Sequence, residues 1–416
     1  MGRDEMEWTP GSLPETAEPN TLGLDGSRLA NIKPYLQGYI DQGKLAGASF
    51  AIMRDERLAY YLAVGEARIG ESTMDSTTVH RIYSMSKAIT SVALLTLYEQ
   101  AKFQLDDPLE KYLPEFADPQ VFTAGSAALP TKRHANQSIT PRHLMTHTSG
   151  LTYGFEGVPH AVDQMYRYHK IGGFDDSLEM FSQKLAKQPL RFDPGSSWNY
   201  SFATDLQGRL IEVLSGKPFE EYLKENIFDP LGMIDTGFHV RPDQIERFAN
   251  NYARPKGPLE IFDDATSSEY LSERVFKSGG GGLVSTLPDY MRFAQMLLNK
   301  GELEGTRVLS RKTVEYATLN HLPGDRDMEQ MGAGGFSESA FTGIGHCLIG
   351  SVCVNPAAAP NMQSYGDFGW GGAAGTRFWV DPEEGIQCVF MTQFMPGGRY
   401  PIQEYLRHLV CSAIID

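Results

Sequence analysis

The sequence predicts an α/β (α+β) fold in which an antiparallel sheet is built from both ends of the chain, flanked by helices, with an inserted, mainly helical region. Two observations predict it. Runs rich in β-forming residues, joined by short turns, occur at 46–67 and again at 375–394. Between them, from roughly 100 to 270, helical patterns alternate with Gly- and Pro-rich loops, and few strands are predicted.

The first half of the predicted sheet follows an amphipathic helix. Residues 25–43 carry an apolar stripe at helical spacing, formed by Leu29, Ile32, Leu36 and Ile40. Residues 46–67 then predict two short strands joined by a tight turn at Asp55-Glu56. The segment 83–100 is helical and apolar almost all round, which predicts a buried helix.

The second half of the predicted sheet lies near the end of the chain. Residues 375–394 predict a hairpin about a D-P-E-E-G turn, and residues 402–414 predict a closing helix. We therefore expect an N-terminal arm at 1–24 and one domain at 25–414, with its α/β part at about 25–100 and 275–414 and its helical part at about 101–274.

Composition narrows the class of protein. The chain has 416 residues, of which 41% are hydrophobic and 21% charged, as in ordinary soluble globular proteins. Its net charge of -15 disfavours nucleic acid and anionic membranes as partners. No apolar run approaches the length of a membrane span, and the start of the chain lacks the apolar core of a secretory signal, so we expect a cytoplasmic protein. Without C-x-x-C spacing, reduced and mainly packing roles are expected for the four cysteines, Cys347, Cys353, Cys388 and Cys411.

The segment R-I-Y-S-M-S-K-A-I-T places Ser84 and Lys87 three residues apart at the head of the apolar helix. With 15 Lys and 28 Ser in the chain, about one S-x-x-K is expected by chance, so the spacing alone decides nothing. At a helix N-terminus, however, the Lys87 amine can reach the Ser84 hydroxyl, and first-turn N–H groups can stabilise an oxyanion. The apolar helix would also desolvate Lys87 and lower its pKa toward that of a useful base.

Two other patterns favour structural roles. His143 and His147 lie four apart, but Leu144 stands where a zinc peptidase motif needs Glu, so structural hydrogen bonding is predicted and no metal site. The glycine run in residues 277–286 lacks the G-K-[ST] ending of a phosphate loop and is interpreted as a flexible connection. No G-x-S-x-G occurs in the chain, which excludes the nucleophile elbow of α/β-hydrolases.

Five segments in order resemble the serine β-lactamase-like superfamily of penicillin-recognising enzymes. The closest resemblance is to the family VIII carboxylesterases and their fungal acyltransferase relatives, which share the class C β-lactamase fold. The resemblance covers roughly residues 25–414, and each segment is weak alone but specific together with the others. The segments are RIYSMSKAIT (81–90), ITPRHLMTHTSGL (139–151), PGSSWNYSFATDLQGRLIEVLSGKPFEEYL (194–223), GGGGLVSTLPDYMRFAQMLLN (279–299) and FGWGGAAGTRFWVDP (368–382).

The resemblance implies a role for each matching residue. Ser84 would be the nucleophile, Lys87 its helix partner and Tyr200 the tyrosine that acts as general base and acid. The third motif of the family, which follows the serine–lysine and tyrosine motifs and lies on the substrate-binding strand, would correspond to Trp370, Gly371 and Gly372. The backbone N–H groups of Ser84 and of Ala373, the next residue along that strand, would together form the oxyanion hole.

Two positions depart from the β-lactamase pattern. Phe202 replaces the Asn that β-lactamases carry two residues after the tyrosine, and Trp370 replaces the Lys or His that contacts the β-lactam carboxylate. Both changes are shared with the esterase branch, and they imply an apolar, aromatic-walled pocket without anion recognition. Asp205 also matches that branch and is interpreted as a structural hydrogen-bonding residue, whereas Arg377 could face the site or the surface.

We therefore predict a serine carboxylesterase that hydrolyses short-chain esters of small molecules through an acyl-enzyme on Ser84, without metal or organic cofactor. Tyr200, as a phenolate held by Lys87, would take the proton of Ser84. The alternatives are an acyltransferase with the same residues, a weak β-lactamase or D-amino-acid peptidase, and a non-catalytic binding protein of the same fold. The sequence does not determine the physiological ester or the oligomeric state.

Overall fold

The computed structural model describes residues 8–254, 256–332 and 341–416. The α-helices are α1 (Gly26–Leu29), α2 (Ile32–Asp41), α3 (Ser86–Glu99), α4 (Pro141–Met145), α5 (Ala161–Tyr168), α6 (Leu178–Ala186), α7 (Ala203–Ser215), α8 (Phe219–Leu223), α9 (Asp229–Leu231), α10 (Leu287–Leu298), α11 (Arg311–Ala317) and α12 (Ile402–Cys411). The strands are β1 (Gly47–Arg54), β2 (Arg57–Arg68), β3 (Ser72–Thr73), β4 (His80–Arg81), β5 (Gln120–Gly125), β6 (Pro130–His134), β7 (Asn251–Ala253), β8 (Glu260–Asp263), β9 (Val284–Ser285), β10 (Glu302–Leu303), β11 (Thr306–Arg307), β12 (Ile344–His346), β13 (Ser351–Cys353), β14 (Phe368–Gly371), β15 (Arg377–Asp381), β16 (Ile386–Thr392) and β17 (Phe394–Met395).

The central sheet joins the two ends of the chain, as predicted. Within the described ranges it has eight strands in the order β12-β13-β14-β15-β16-β1-β2-β3, and every neighbouring pair is antiparallel. Strand β1, from the beginning of the chain, pairs with β16, from its end, with Phe50 opposite Phe390. The predicted fold class is confirmed.

Helices cover both faces of this sheet. Along β1, Phe50 and Ile52 pack with apolar side chains of α2 and α12, whereas Ala51 and Met53 join the core that contains α3 and α10. This alternation is the two-residue period of a strand that is buried on both faces. The sheet therefore separates two hydrophobic layers, and α3 lies in the larger one.

The predicted elements near the N-terminus are present with one change. The strands β1 and β2 flank Asp55 and Glu56, whose φ angles of 52° and 62° form the tight turn. The predicted helix over 25–43 is divided into α1 and α2. Pro34 lacks the N–H that would donate to the carbonyl of Ala30 in a continuous helix, which accounts for a break near this point.

The middle of the chain contains more β-structure than predicted. Strands β5 and β6 form a separate hairpin, and β7 pairs with β8 and, in parallel, with β17. Most side chains of β5 and β6 are exposed or half-buried, so this hairpin lacks the apolar alternation by which strands are recognised. At the end of the chain, the predicted hairpin corresponds to β15 and β16, and the closing helix ends at Cys411.

Three of the four cysteines lie in the core. All four thiols are free, and Cys347, Cys353 and Cys388 are buried. Burial raises the pKa of Cys347 to about 11, so this thiol stays protonated and packs as a small apolar group. No helix among the residues described is both long and apolar enough to cross a lipid bilayer.

Helix α3 is the buried helix that the sequence predicts. Every residue from Ser86 to Leu97 is buried, and α3 packs closely against α7. A helix that is apolar on all sides requires protein contacts on all sides, and these contacts fix the position of its N-terminus. The residues at that N-terminus are Ser84 and Lys87, so the core holds the candidate nucleophile in place.

We expect Leu94→Ala to lower the free energy of unfolding by about 2–5 kcal/mol, because Leu94 is fully buried on α3 and its removal leaves a cavity. Val213→Ala is the matched control, since Val213 lies on α7 with 39% of its surface exposed and should change stability by at most about 0.5 kcal/mol. Urea unfolding of the two variants measures both values. Equal, small effects would contradict a core centred on α3.

Candidate active site

Ser84 lies in a tight turn immediately before α3. Residues Tyr83–Met85 form one turn of 3₁₀-helix, and Tyr83 has a positive φ of 42°, a strained conformation for a side chain of this size. The turn is anchored on both sides. The amide of Ile82 donates to the carbonyl of Leu283, and the Tyr290 hydroxyl donates to the carbonyl of Met85 at 2.8 Å. Ser84 is therefore presented on a fixed turn at the edge of the cavity described below.

Lys87 lies one helical turn further on, directed at Ser84. Its Nζ donates to Ser84 Oγ at 3.3 Å and to the carbonyl of Gly280 at 2.5 Å. Only 4% of Lys87 is exposed, and this desolvation lowers its pKa to about 7, although the Asp205 charge acts in the opposite direction. The amine is thus neutral above about pH 7 and can accept a proton from Ser84.

Tyr200 lies in a cluster of aromatic side chains beside Lys87. Lys87 Nζ is 4.5 Å from the centre of the Tyr200 ring and 5.3 Å from that of Tyr153, distances at which a ring face attracts an ammonium. The indole N–H of Trp370 donates to the Tyr200 hydroxyl at 3.3 Å. Tyr200 and Trp370, which are far in sequence from Ser84 and Lys87, are therefore brought together with them.

The third motif lies at the end of β14, close to the Ser84 turn. Trp370 and Gly371 belong to β14, but Gly372 follows its last residue, and Ala373 lies in the turn that leads to β15. The expectation that Ala373 lies along the strand is wrong, because the chain reverses here, with the amide of Gly372 donating to the carbonyl of Thr376. A Cβ on Gly372 would lie 2.5 Å from the carbonyl oxygen of Ile82, so glycine is what allows this close approach.

The glycine-rich segment 278–283 forms part of the site, a role that the sequence interpretation missed. The carbonyl of Gly280 binds Lys87, and the carbonyl of Gly279 accepts from the Thr90 hydroxyl on α3 at 2.8 Å. A Cβ on Gly280 would lie 2.4 Å from Asp205 Oδ2 and 2.8 Å from the Tyr153 hydroxyl oxygen. Glycine at 280 therefore allows Asp205 and Tyr153 to approach the backbone closely, and the segment is a packed wall of the site.

A cavity of about 920 Å³ opens above Ser84. Its lining includes the predicted residues Ser84, Tyr200, Phe202, Trp370, Gly371 and Ala373. Further aromatic side chains make much of its wall, namely Tyr83, Tyr153, Phe155, Phe174, Phe238, Phe262, Tyr270, Phe276, Phe341 and Trp379. Phe202 packs on Tyr153, with ring centres 4.6 Å apart. The predicted aromatic-walled pocket is present, and it is large enough for a small-molecule ligand.

Arg377 faces this cavity, which decides between its two predicted orientations. It lies opposite Gly371 in the β14–β15 pair. A Cβ on Gly371 would come within 3.3 Å of Arg377 Cδ and 3.4 Å of Arg377 Nη1, so the glycine leaves room for this side chain. Arg274 and Arg407 also line the cavity. The aromatic-walled pocket therefore also carries a positive charge, because the register of β15 brings Arg377 beside the third motif.

Asp205 and the two histidines have hydrogen-bonding roles. Asp205 is buried at the start of α7 and accepts from the Ser278 hydroxyl and from the Gly280 amide. His143 closes a capping box with Thr140 at the start of α4. His147 follows the end of α4 and its Nδ1 lies 3.2 Å from Ser201 Oγ. Burial holds the pKa of His147 well below its usual value, so the ring is neutral.

Comparison with known proteins agrees with this geometry. The model of the family described as Beta-lactamase matches residues 32–412. Among curated proteins, Esterase EstB of Burkholderia gladioli is 30% identical over 396 residues, which cover 90% of this chain and 93% of that protein. The family model thus spans every segment on which the sequence resemblance rests.

Two solved structures share the fold. The structure titled "EstCE1, a hydrolase with promiscuous acyltransferase activity" superposes with a TM-score of 0.77 and 26% identity, covering 92% of this chain and 98% of that one. The LovD6 mutant of simvastatin synthase from Aspergillus terreus superposes with a TM-score of 0.78 and 25% identity, covering 92% and 93%. These matches confirm the predicted fold, the family and the enzyme class of serine hydrolase.

We expect Phe262→Ala to lower kcat/KM for a bulky apolar ester such as 2-naphthyl butyrate by about fivefold, through loss of roughly 1 kcal/mol of apolar contact. Phe262 lines the cavity although 58% of it is exposed. The control is Ile261→Ala, because Ile261 precedes it on β8, is 52% exposed and is not among the described lining residues. Equal effects of the two substitutions would show that Phe262 does not contact the substrate.

Proposed function

The chain belongs to the Beta-lactamase family, and we propose that it is a carboxylesterase of the family VIII type, with Ser84 as nucleophile, Lys87 as general base and Tyr200 as proton donor. The similarity to Esterase EstB, which extends over nine-tenths of both chains, supports the esterase activity. The arrangement of Lys87 is the observation that carries the assignment of roles.

Lys87 combines the geometry and the basicity that activation of Ser84 requires. Its amine is within hydrogen-bonding distance of Ser84 Oγ, at 3.3 Å, and burial lowers its pKa to about 7. A neutral amine gives no electrostatic stabilisation to a phenolate. We therefore assign the first proton transfer to Lys87 itself, in place of the Tyr200 phenolate that the sequence comparison suggested, and keep Tyr200 for the second transfer.

Acylation then proceeds in two steps. Ser84 Oγ attacks the ester carbonyl carbon while its proton passes to Lys87, and the resulting ammonium is stabilised by the carbonyl of Gly280 and the faces of the Tyr200 and Tyr153 rings. The N–H groups of Ser84 and Ala373 would bind the oxyanion. Collapse of the tetrahedral intermediate expels the alkoxide, which takes a proton from Tyr200, and Tyr200 regains one from Lys87.

Water completes the cycle by hydrolysing the acyl-enzyme with the same groups in reverse order. Every proton in this sequence is carried by Ser84, Lys87, Tyr200 or water, so the scheme requires no cofactor. The aromatic lining suits neutral esters of short-chain acids. We expect the protein to act in a reducing compartment such as the cytoplasm, in which its four free cysteines would stay unpaired.

Acyl transfer is the second candidate activity. Two structural relatives are described as a hydrolase with promiscuous acyltransferase activity and as simvastatin synthase, and both superpose on 92% of this chain. An alcohol that replaces water in the second half-reaction would use the same Ser84, Lys87 and Tyr200. Product analysis of a p-nitrophenyl ester reaction, with and without an added acceptor alcohol, measures the fraction of acyl groups transferred to that alcohol.

Replacement of the nucleophile is the direct test of the proposal. We expect Ser84→Ala to abolish hydrolysis of p-nitrophenyl butyrate while leaving thermal unfolding unchanged, and a fluorophosphonate probe to label the tryptic peptide 82–87 only when Ser84 is present. Ser149→Ala is the control and should remain labelled, since Ser149 is a buried serine outside the described cavity lining. An adduct on Ser86 or Ser149 would refute the assignment.

The basicity of Lys87 sets the pH dependence. Because its pKa is lowered to about 7, Lys87 is an ammonium below that pH and a neutral base above it. We therefore expect kcat/KM for p-nitrophenyl acetate to rise tenfold per pH unit up to about pH 7 and then level off, after subtraction of spontaneous hydrolysis. Lys87→Ala should lower kcat by at least about 10²-fold and lose this limb. A limb at the same pH in both proteins would assign it to another group.

Trp370 should separate esters from β-lactams. Its indole occupies the place where β-lactamases carry a cation, and it donates to Tyr200. We expect the wild type to prefer p-nitrophenyl butyrate over benzylpenicillin by several decades in kcat/KM, and Trp370→Lys to weaken ester turnover and improve penicillin acylation. Phe174→Lys is the control for an added charge in the cavity wall, because Phe174 lines the cavity and is 56% exposed. Equal turnover of both substrates by the wild type would favour a β-lactamase.

A further inference from the structure

Asp205 is a fully buried carboxylate whose hydrogen bonds are to residues in the wall of the active site. It lies in the first turn of α7. Its Oδ1 accepts from the Gly280 amide at 3.1 Å and from the hydroxyl of Ser278. Among the described residues its Oδ2 has no hydrogen-bond partner. Such an oxygen is costly to bury unless a nearby positive charge compensates for it.

The backbone N–H and carbonyl of Gly280 connect this carboxylate to Lys87. The amide of Gly280 donates to Asp205, and the carbonyl of the same residue accepts from Lys87 Nζ at 2.5 Å. The unpartnered Oδ2 lies close to the Gly280 α-carbon, because a Cβ built on that carbon would be only 2.4 Å from Oδ2. The backbone of a single residue, Gly280, therefore separates the carboxylate from the amine.

We propose that Asp205 is a positioning residue for catalysis, which holds the Lys87 amine against Ser84 through the Gly280 peptide and stabilises the Lys87 ammonium formed during attack. This inference rests on the proposed function of Lys87 as the base. Asp205 does not touch the substrate and takes no proton from it. The role goes beyond the structural hydrogen bonding that the sequence comparison suggests for this residue.

The charge of Asp205 offsets the burial of Lys87. Desolvation lowers the pKa of Lys87, and the Asp205 carboxylate raises it again. Burial raises the pKa of Asp205 in turn, and the Lys87 charge and the hydrogen bonds from Ser278 and Gly280 act against that rise and favour the charged carboxylate. Without this charge the amine would be a weaker base, and the ammonium would be less stable at the moment when Ser84 attacks. The other titratable groups around Lys87 are Tyr153, Tyr200 and His147.

The decisive variant is Asp205→Asn, which removes the charge but keeps an oxygen that can accept from Ser278 and Gly280. We expect it to lower kcat for p-nitrophenyl acetate about tenfold or more and to move the acidic limb of kcat/KM at least one pH unit lower. Asp205→Glu should restore the limb toward the wild-type position. Asp163→Asn is the matched control, because Asp163 is likewise buried in the first turn of α5 and accepts from the hydroxyl of Thr152 and the amide of Gly154.

A second measurement is independent of turnover. Titration of Lys87 by lysine-selective NMR in the Ser84→Ala protein should give a pKa that falls when Asp205→Asn is added and stays constant when Asp163→Asn is added. An unchanged pKa in the folded Asp205→Asn protein overturns the proposal, whatever its kcat. Ester turnover retained by Ser84→Ala would instead refute the proposed function and leave this titration interpretable.

A backbone variant tests the connection if Asp205→Asn does not fold. Gly280→Ala places a methyl group 2.4 Å from Asp205 Oδ2, so the carboxylate has to move, and kcat should fall at least tenfold. Gly237→Ala should change kcat less than twofold, because its Cβ would meet nothing closer than 3.8 Å. Wild-type kcat in the Gly280→Ala enzyme would overturn the proposal.

Discussion

Burial of the Lys87 amine is the constraint on which the rest of the site depends. A lysine with 4% of its surface exposed must give up most of its charge or be compensated, and burial here lowers its pKa to about 7. The same burial requires packed groups on every side. These groups are α3 itself, the Gly280 peptide and the rings of Tyr153 and Tyr200. The features that hold the lysine in place are therefore the ones that make it a base.

Close backbone contacts supply the precision that long side chains lack. The chain passes Ser84 at two points where a Cβ would not fit, at Gly372 against the carbonyl of Ile82 and at Gly280 against Asp205. The first contact brings the turn with Ala373 to the nucleophile, and the second brings a carbonyl to Lys87. Peptide groups fixed by these contacts present donors and acceptors at set positions, which suits a site that binds a developing charge.

Much of the fold and the core of the site could be predicted from the sequence, because both depend on local patterns. The strands at both ends, the buried α3 and the i to i+3 spacing of Ser84 and Lys87 are properties of short segments. The catalytic role of Tyr200 was inferred from the resemblance to a family, because no periodicity indicates it. The exposed β5–β6 hairpin was missed because its residues lack apolar alternation.

The remaining features depend on contacts between distant segments. The glycine run was interpreted as a flexible connection. No local pattern indicates that Asp205, 75 residues before Gly280, approaches its backbone. The orientation of Arg377 follows from the register of β15 against β14, which brings it opposite Gly371. The lowered pKa of Lys87 agrees with the desolvation that the apolar helix predicts, but the choice of Lys87 over Tyr200 as the base rests on contacts between distant segments, such as the Gly280 carbonyl on the Lys87 amine.

The central claim is that a buried amine activates Ser84 for covalent catalysis. Rapid-quench mass spectrometry during turnover of p-nitrophenyl butyrate, at pH 5.5 and pH 8.5, tests it most directly. The account predicts a butyryl group on the tryptic peptide 82–87, attached at Ser84 and formed faster at the higher pH. Consumption of the ester without acylation of this peptide, or acylation at equal rates at both pH values, would contradict it.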